Sequence, residues 1–292
     1  MAAPAVTPEL EAAAERAESR RGFLLAVPGW VYLIIFFAIP LAIVLVFSFA
    51  SRSATGQTLL EDWNLESYQR LASSLVVEVV FRSLWLAAAS TVICLLLGYP
   101  FAYYIATRGP TMRNVLLVLV LIPFWSNFLV RTYAWRVLLG SEGPMSQLSQ
   151  LLGLGETRVL FTTTAVLVGL VYGYLPFMVL PLYAAIERID WSLVEAGRDL
   201  YASGWDAFRR ITWPLSRPGV IAGSVLVFVP ALGAYVTPEI LGGARTTLLG
   251  SFVVSQFLAA RNWPFGSALS VAILAVMLGA TMVYFRTGGR TL

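Results

Sequence analysis

The chain has 292 residues, 58% of them hydrophobic and 12% charged, with a net charge of +4; soluble domains carry roughly a quarter charged residues, so this is an integral membrane protein. Every one of the 20 basic residues is arginine, and neither lysine nor histidine occurs. Their absence excludes a catalytic imidazole, a histidine-containing zinc site and the lysine of a phosphate-binding loop, and with that lysine an ordinary ATP-hydrolysing site.

A helix that crosses a bilayer needs about 20 apolar residues, and six stretches supply them: 22–50, 76–106, 112–138, 163–186, 219–235 and 264–285. Ahead of the first, "TPELEAAAERAESRRG" predicts a short cytosolic helix with Thr7 as N-cap and Pro8 at its first position. The first apolar stretch is too long for the core of a cleaved signal, and no small-residue cleavage site follows it. Cys94 lies in the second stretch; as the single cysteine it excludes an internal disulfide and reads as a small buried apolar residue.

With a cytosolic N-terminus, twelve arginines fall inside, among them Arg16, Arg20, Arg21, Arg113, Arg188, Arg209, Arg210 and Arg290, against eight outside. The positive-inside rule favours that orientation, which puts both termini in the cytosol and explains the net charge without nucleic acid. Outer loops then cover 51–74, 140–161 and 237–263. Within the last, "TTLLGSFVVSQFLAA" predicts a short helix, interfacial or partly inserted, packed against the bundle.

Several spans carry proline, at Pro40, Pro100, Pro123, Pro176, Pro181 and Pro230, where freed backbone groups must find protein or water. Polar and aromatic residues of the outer half are candidates to line a path: Trp125, Asn127, Tyr133, Tyr172, Tyr235 and Glu239. Aromatic faces take an ammonium group by cation–π attraction and Glu239 can pair with one, although the same aromatics also serve as interfacial anchors. Arg131 has three options: snorkelling, pairing with Glu239 or Glu142, or meeting a partner chain. A structural or gating role suits a cation there.

Between the fourth and fifth stretches lies a polar island, "EAGRDLYASGWDAFRRITWPL", residues 195–215. Asp190 is expected to cap a helix from Trp191 whose apolar side holds Leu193, Gly197 and Leu200. A break follows at Tyr201 and Ala202. Ser203, with Asp206, caps a second helix carrying Trp205, Phe208 and Ile211, with Arg209 and Arg210 near its end and Pro214 as its stop. Two readings stand: amphipathic turns on the lipid surface, or a docking surface for another protein.

Glu195, Ala196, Gly197, Tyr201, Ile211, Trp213 and Pro214 follow the spacing of the "EAA" signature of ABC importer permeases, with Gly197, Tyr201 and Trp213 departing from it. Beyond the island, "SLWLAAASTVICLLLGYPFAYYIA", "PFWSNFLVRTYAWRVLLG" and "NWPFGSALS" resemble permeases of spermidine/putrescine importers, of the first-subunit type. The resemblance implies an all-α, six-span type I permease fold with cytosolic coupling helices near 190–214. It also implies that Glu195, Ala196, Gly197, Asp199, Tyr201, Ala202, Gly204, Trp205, Phe208, Ile211 and Pro214 meet an ATPase. The partners would be a second permease, two ATPase subunits that hold ATP and Mg, and an extracytoplasmic binding protein, around a chain with no cofactor of its own in the bacterial inner membrane. Related subfamilies carry opines, other amines or different small solutes. An enzyme is disfavoured because the spans hold no acid–base pair, and an ion-coupled carrier or channel because Glu78, at an outer boundary, is the only acidic candidate in them.

Overall fold

In hydrocarbon every backbone polar group must be satisfied within the protein, and this chain meets that demand with helices. A computed structural model describes residues 23, 25–53, 56–153, 158–243 and 246–287, with 280 and 283–287 given by backbone alone. The helix expected from Thr7 and Pro8, Arg16, Arg20, Arg21 and Arg245, and the C-terminal residues from 288 with Arg290 lie outside the described residues.

Four helices are by themselves long and apolar enough to cross: α1 (Leu25–Phe47), α3 (Ser74–Ala106), α7 (Thr163–Glu187) and α9 (Gly204–Leu232). Between α1 and α3, the first outer loop folds as a small antiparallel hairpin, β1 (Ser51–Arg52) with β2 (Thr58–Leu59), followed by the short α2 (Glu66–Arg70). The second outer loop holds α6 (Pro144–Leu151). The third holds a π turn at Pro238–Gly242 and α10 (Leu249–Leu258), the short helix expected there. Ser83 Oγ on α3 accepts from the Leu249 amide at 2.8 Å, and Leu249, Ser251 and Phe252 are buried, so α10 is fastened to the bundle. The last helix, α11 (Trp263–Thr287), has 25 residues, about 37 Å at helical rise.

The core is the trio α3, α7 and α9. Helices in lipid gain by close approach, which small residues permit. Met178 of α7 sits between Gly98 of α3 and Gly223 of α9: a methyl group added at these glycines would stand 3.1 Å from Met178 Cγ and 2.7 Å from its Sδ, respectively. One turn on, a methyl at Gly219 would meet Ala185 Cβ at 2.5 Å and the Pro181 carbonyl oxygen at 2.7 Å. Cys94, Ala102, Ile105, Met178, Val179, Leu182, Ile186 and Val227 are fully enclosed in this contact. By contrast α1 buries none of its apolar window in the described bundle; it rests beside α11, with the Phe47 and Trp263 rings 6.1 Å apart.

The structure corrects two expectations about the spans. The third stretch, 112–138, is not one straight helix but α4 (Pro110–Trp125) and α5 (Phe128–Leu138), set at 88°. Two side chains make the break tolerable. Asn127 Oδ1 caps α5 by accepting from the amides of Leu129 at 2.8 Å and Val130 at 3.4 Å, and Arg131 Nη1 donates to the freed Pro123 carbonyl at 2.6 Å. Arg131 therefore serves the bend, in place of an ion pair with Glu239 or Glu142. Its guanidinium also lies 5.7 Å from the ring centres of Phe128 and Tyr172.

The second correction concerns Pro214, which does not stop the island's second helix. That helix starts at Gly204, widens into a π turn over Phe208–Thr212 and runs on as α9 to Leu232, where the fifth stretch was expected to begin only at residue 219. In the turn the Trp213 amide bonds to the Phe208 carbonyl, five residues back. The wider turn displaces the hydrogen-bond ladder just where proline can neither donate nor tolerate the usual carbonyl behind it.

Candidate coupling surface and transport face

The island's first helix, α8 (Trp191–Asp199), begins where Asp190 Oδ1 accepts from the Ser192 amide at 3.0 Å. The hydrogen bonds from Ser192 hold the Asp190 carboxyl below its ordinary range. Trp191 packs edge-on against Tyr103, 5.9 Å between ring centres, and this fixes the rotation of the helix: Val194 is buried while Leu193, Glu195, Ala196, Asp199 and Leu200 point outward. Leu193 and Leu200, expected on the packed side, thus belong to the exposed one, because a 100° step from a docked Trp191 selects Val194 and Gly197 instead. A methyl at Gly197 would lie 2.9 Å from Ile211 Cδ1, so glycine at this position lets the two island helices close on each other.

Tyr201 stands where the signature has glycine, and it takes the conformation glycine favours, with φ +62°. Its amide bonds to the Arg198 carbonyl at 2.9 Å and the Ala202 amide to the Gly197 carbonyl at 3.1 Å, the paired bonds of a Schellman helix end. The side chain is 98% exposed and contributes no packing to the fold. A left-handed residue with a Cβ costs about 1–2 kcal/mol, so Tyr201→Gly is expected to raise thermal stability by up to about 1 kcal/mol after glycine's extra chain entropy is deducted. A lower melting temperature in the purified variant would contradict this account of the turn.

Ser203 opens α9 by accepting from the Asp206 amide at 3.1 Å, and its hydroxyl donates back to the Asp206 carboxylate. Gly204 is exposed with open space around it, and Trp205 is 68% exposed. Phe208 turns inward: it stacks on Trp205 at 5.4 Å and meets Tyr99 edge-on at 5.6 Å. It therefore joins the exposed surface to the core trio and is not itself free to insert into a partner. Ala202, Ile211 and Pro214 are half-buried along the same seam. An unforeseen contact supports the island: Arg113 at the start of α4 and Glu187 at the end of α7 pair at 2.6 Å. Opposite charges at two inner span ends were its only trace in the sequence.

At the opposite end of the spans, all six path candidates are exposed on this chain. Tyr172 is held by Trp135 of α5, their rings 5.2 Å apart, and by Arg131. Glu239 rides on the π turn, whose Thr237 and Leu241 close over Gly169 of α7 and whose Glu239 amide bonds to the Tyr235 carbonyl at 3.1 Å. The fold thus brings α5, α7 and this turn to one place, carrying Tyr133, Tyr172, Tyr235 and Glu239. Trp125 and Asn127 stand at the bend, and the Asn127 side-chain oxygen is committed to its cap.

Residues 16–288 match the model of the family described as binding-protein-dependent transport system inner membrane component. The chain is 43% identical over 257 residues to the spermidine/putrescine transport system permease protein PotB of Haemophilus influenzae, covering 87% of this chain and 90% of that one. It is 40% identical to the protein of the same name from Escherichia coli over 265 residues, 90% and 95% of the two chains. A molybdenum transport system permease protein, ModB of Azotobacter vinelandii, is 30% identical over 70% of this chain and 93% of its own. In fold, a bacterial ABC transporter involved in the import of the acidic polysaccharide alginate superposes with a TM-score of 0.68 at 17% identity, over 94% of this chain and 99% of that one. The same kind of transporter, bound to an alginate-loaded periplasmic protein, gives 0.73 at 15% identity, over 94% and 96%. The chain belongs to the binding-protein-dependent inner-membrane components, the multi-pass permease subunits of ABC importers with the type I fold.

Proposed function

We propose that this chain is the first permease subunit of an ATP-driven importer for polyamines such as spermidine and putrescine. The observation that carries the reading is identity of 40–43%, across about nine-tenths of the chain, to permeases of that named specificity. The molybdenum relative is more distant, at 30%. Arg131, the cation that would repel a polyamine, is turned to the Pro123 carbonyl and the Phe128 and Tyr172 rings, and Glu239 with the faces of Trp125, Tyr133 and Tyr235 is left to offset its charge and meet the solute.

In this reading a second permease completes the path and two ATPase subunits below bind ATP and Mg. A binding protein outside delivers the solute, and both termini are cytosolic. Glu195, Ala196, Asp199, Leu200, Tyr201, Gly204 and Trp205 form the surface that the ATPase grips. The chain itself needs no cofactor: its share of the work is to rock as a rigid body and open the central cavity to one side and then the other.

The deciding experiment is uptake of labelled spermidine and putrescine into proteoliposomes containing the assembled transporter, with binding protein outside the facing surface and ATP at the other. ATP-dependent accumulation is expected. Uptake that ignores ATP and collapses with an ion gradient would instead identify a carrier. In the same assay Glu239→Gln is expected to slow uptake about fivefold, the worth of an ion contact of roughly 1 kcal/mol, with ATP hydrolysis unchanged. An unaltered rate would remove Glu239 from the path.

A further inference from the structure

A cavity of about 430 Å³ opens between α3 and α9, beside the coupling surface. One wall is Leu95, Leu96 and Pro100 of α3; the other is Trp205, Phe208 and Trp213 of α9, with Arg209 at the edge. Tyr99 forms a rigid floor, hydrogen-bonded to Ser216 at 2.7 Å and flanked by the rings of Phe208 and Trp213.

Depth decides what can enter. Leu95 and Pro100 lie eleven and six residues before α3 ends at Ala106, about 16 and 9 Å inside that end at helical rise. Those residues sit at the boundary between acyl chains and headgroups, and only Trp205, at the rim of the cavity, is shared with the coupling surface. The approach to the cavity is apolar too: Leu96 is 67% exposed, and Val92 and Leu97 on the same side are exposed. An apolar recess at this depth is filled by hydrocarbon. Arg209 adds a charge at headgroup level, and among the described residues its guanidinium is in no ion pair. Asp206, the nearest acid on its own helix, accepts from Ser203 and shares its charge between Arg209 and Arg210 without a direct ion pair to either.

We infer that this cavity is a binding site for an anionic phospholipid, with one acyl chain between α3 and the aromatic wall and the phosphate on Arg209. The occupied site would press on Phe208 and Trp213, the side chains that join the coupling surface to the core trio. The lipid thereby becomes a third contact between coupling surface and bundle. Assignment to the cytosolic leaflet rests on the orientation proposed above; the binding itself does not.

The test is native mass spectrometry of the full chain with its co-purified partners in detergent, titrated with dioleoyl phosphatidylglycerol or dioleoyl phosphatidylcholine. Wild type is expected to retain one phosphatidylglycerol at about fivefold lower concentration than phosphatidylcholine, the contribution of one arginine at an anionic surface. Arg209→Gln should erase the preference, and Leu96→Trp, which narrows the mouth, should weaken retention of both lipids. A preference that survives Arg209→Gln, or retention of both lipids unchanged in Leu96→Trp, would overturn the assignment. A photo-crosslinker at position 96 in native membranes should capture lipid; capture of the ATPase or a permease chain would show that protein covers the recess, and would overturn it as well. Because lipid retention is read without transport, failure here leaves the transport proposal intact, and failure of transport leaves the lipid site intact.

Discussion

Glu195→Arg is expected to leave the transporter assembled in the membrane and to abolish its substrate-stimulated ATP hydrolysis. Glu195 is exposed on α8 with Ala196, Asp199 and Leu200, of which Leu200 is 82% exposed, and Trp205 on α9 is 68% exposed. Exposed apolar side chains bordered by Glu195 and Asp199 have the composition of an interface, where reversing a desolvated charge costs roughly 2–5 kcal/mol. Nothing in the chain's own fold depends on that carboxylate, so the loss would be one of coupling. Gly204→Trp makes the same prediction from the other helix. A Cβ added at Gly204 meets nothing within 4 Å and the position is exposed; the larger side chain is therefore expected to extend into solution and to obstruct something seated from outside. Full stimulation in both variants, with the ATPase still bound, would sink the coupling assignment.

The second large effect concerns the core trio. Gly219→Leu is expected to prevent accumulation of folded protein, because the obstacle at this position includes backbone, the Pro181 carbonyl at 2.7 Å and Leu182 Cα at 3.2 Å, which cannot swing aside. Gly219→Ala should fold with a lowered melting temperature, an overpacking cost of about 1–3 kcal/mol. Gly173 of α7 supplies the contrast: nothing stands within 4 Å of a methyl there, and Gly173→Ala should melt no lower than wild type, since alanine favours helix by about 1 kcal/mol. Equal melting temperatures for both alanine variants would refute the close approach of α7 and α9.

Length and hydropathy made the crossing helices legible in the sequence, because lipid imposes both on any span. They could not show the 88° bend between α4 and α5, since a window average is blind to direction; the local signal was Asn127 before Phe128, a capping residue inside an apolar run. Helix starts in the island were readable from Asp190 and Ser203, whose side chains accept from the first amides. The end at Pro214 was not, because the π turn that carries the helix past proline has no residue signature and depends on the surrounding packing. The exposed side of α8 was misjudged for a related reason: Leu193 and Leu200 are apolar by composition, but Trp191 docking on Tyr103 sets the rotation. Among the outer candidates, the sequence collected the residues and only the fold separated Asn127 and Arg131, which maintain the bend, from Tyr172, Tyr235 and Glu239, which remain open to solution.

The helix that begins at Gly204 on the candidate coupling surface continues to Leu232, at the far end of the same span. Its 29 residues make a rod of about 43 Å, loaded at one end and clasped along its middle by Met178 and the carbonyl of Pro181. Such a rod is a lever with its fulcrum in the bilayer. Pivoted at that clasp, a tilt of about 10° would sweep each end through about 4 Å in opposite directions, given that length. Mechanical advantage is thus built into one continuous piece of backbone, and no chain of adjustable contacts is needed to carry a push from one face of the membrane to the other.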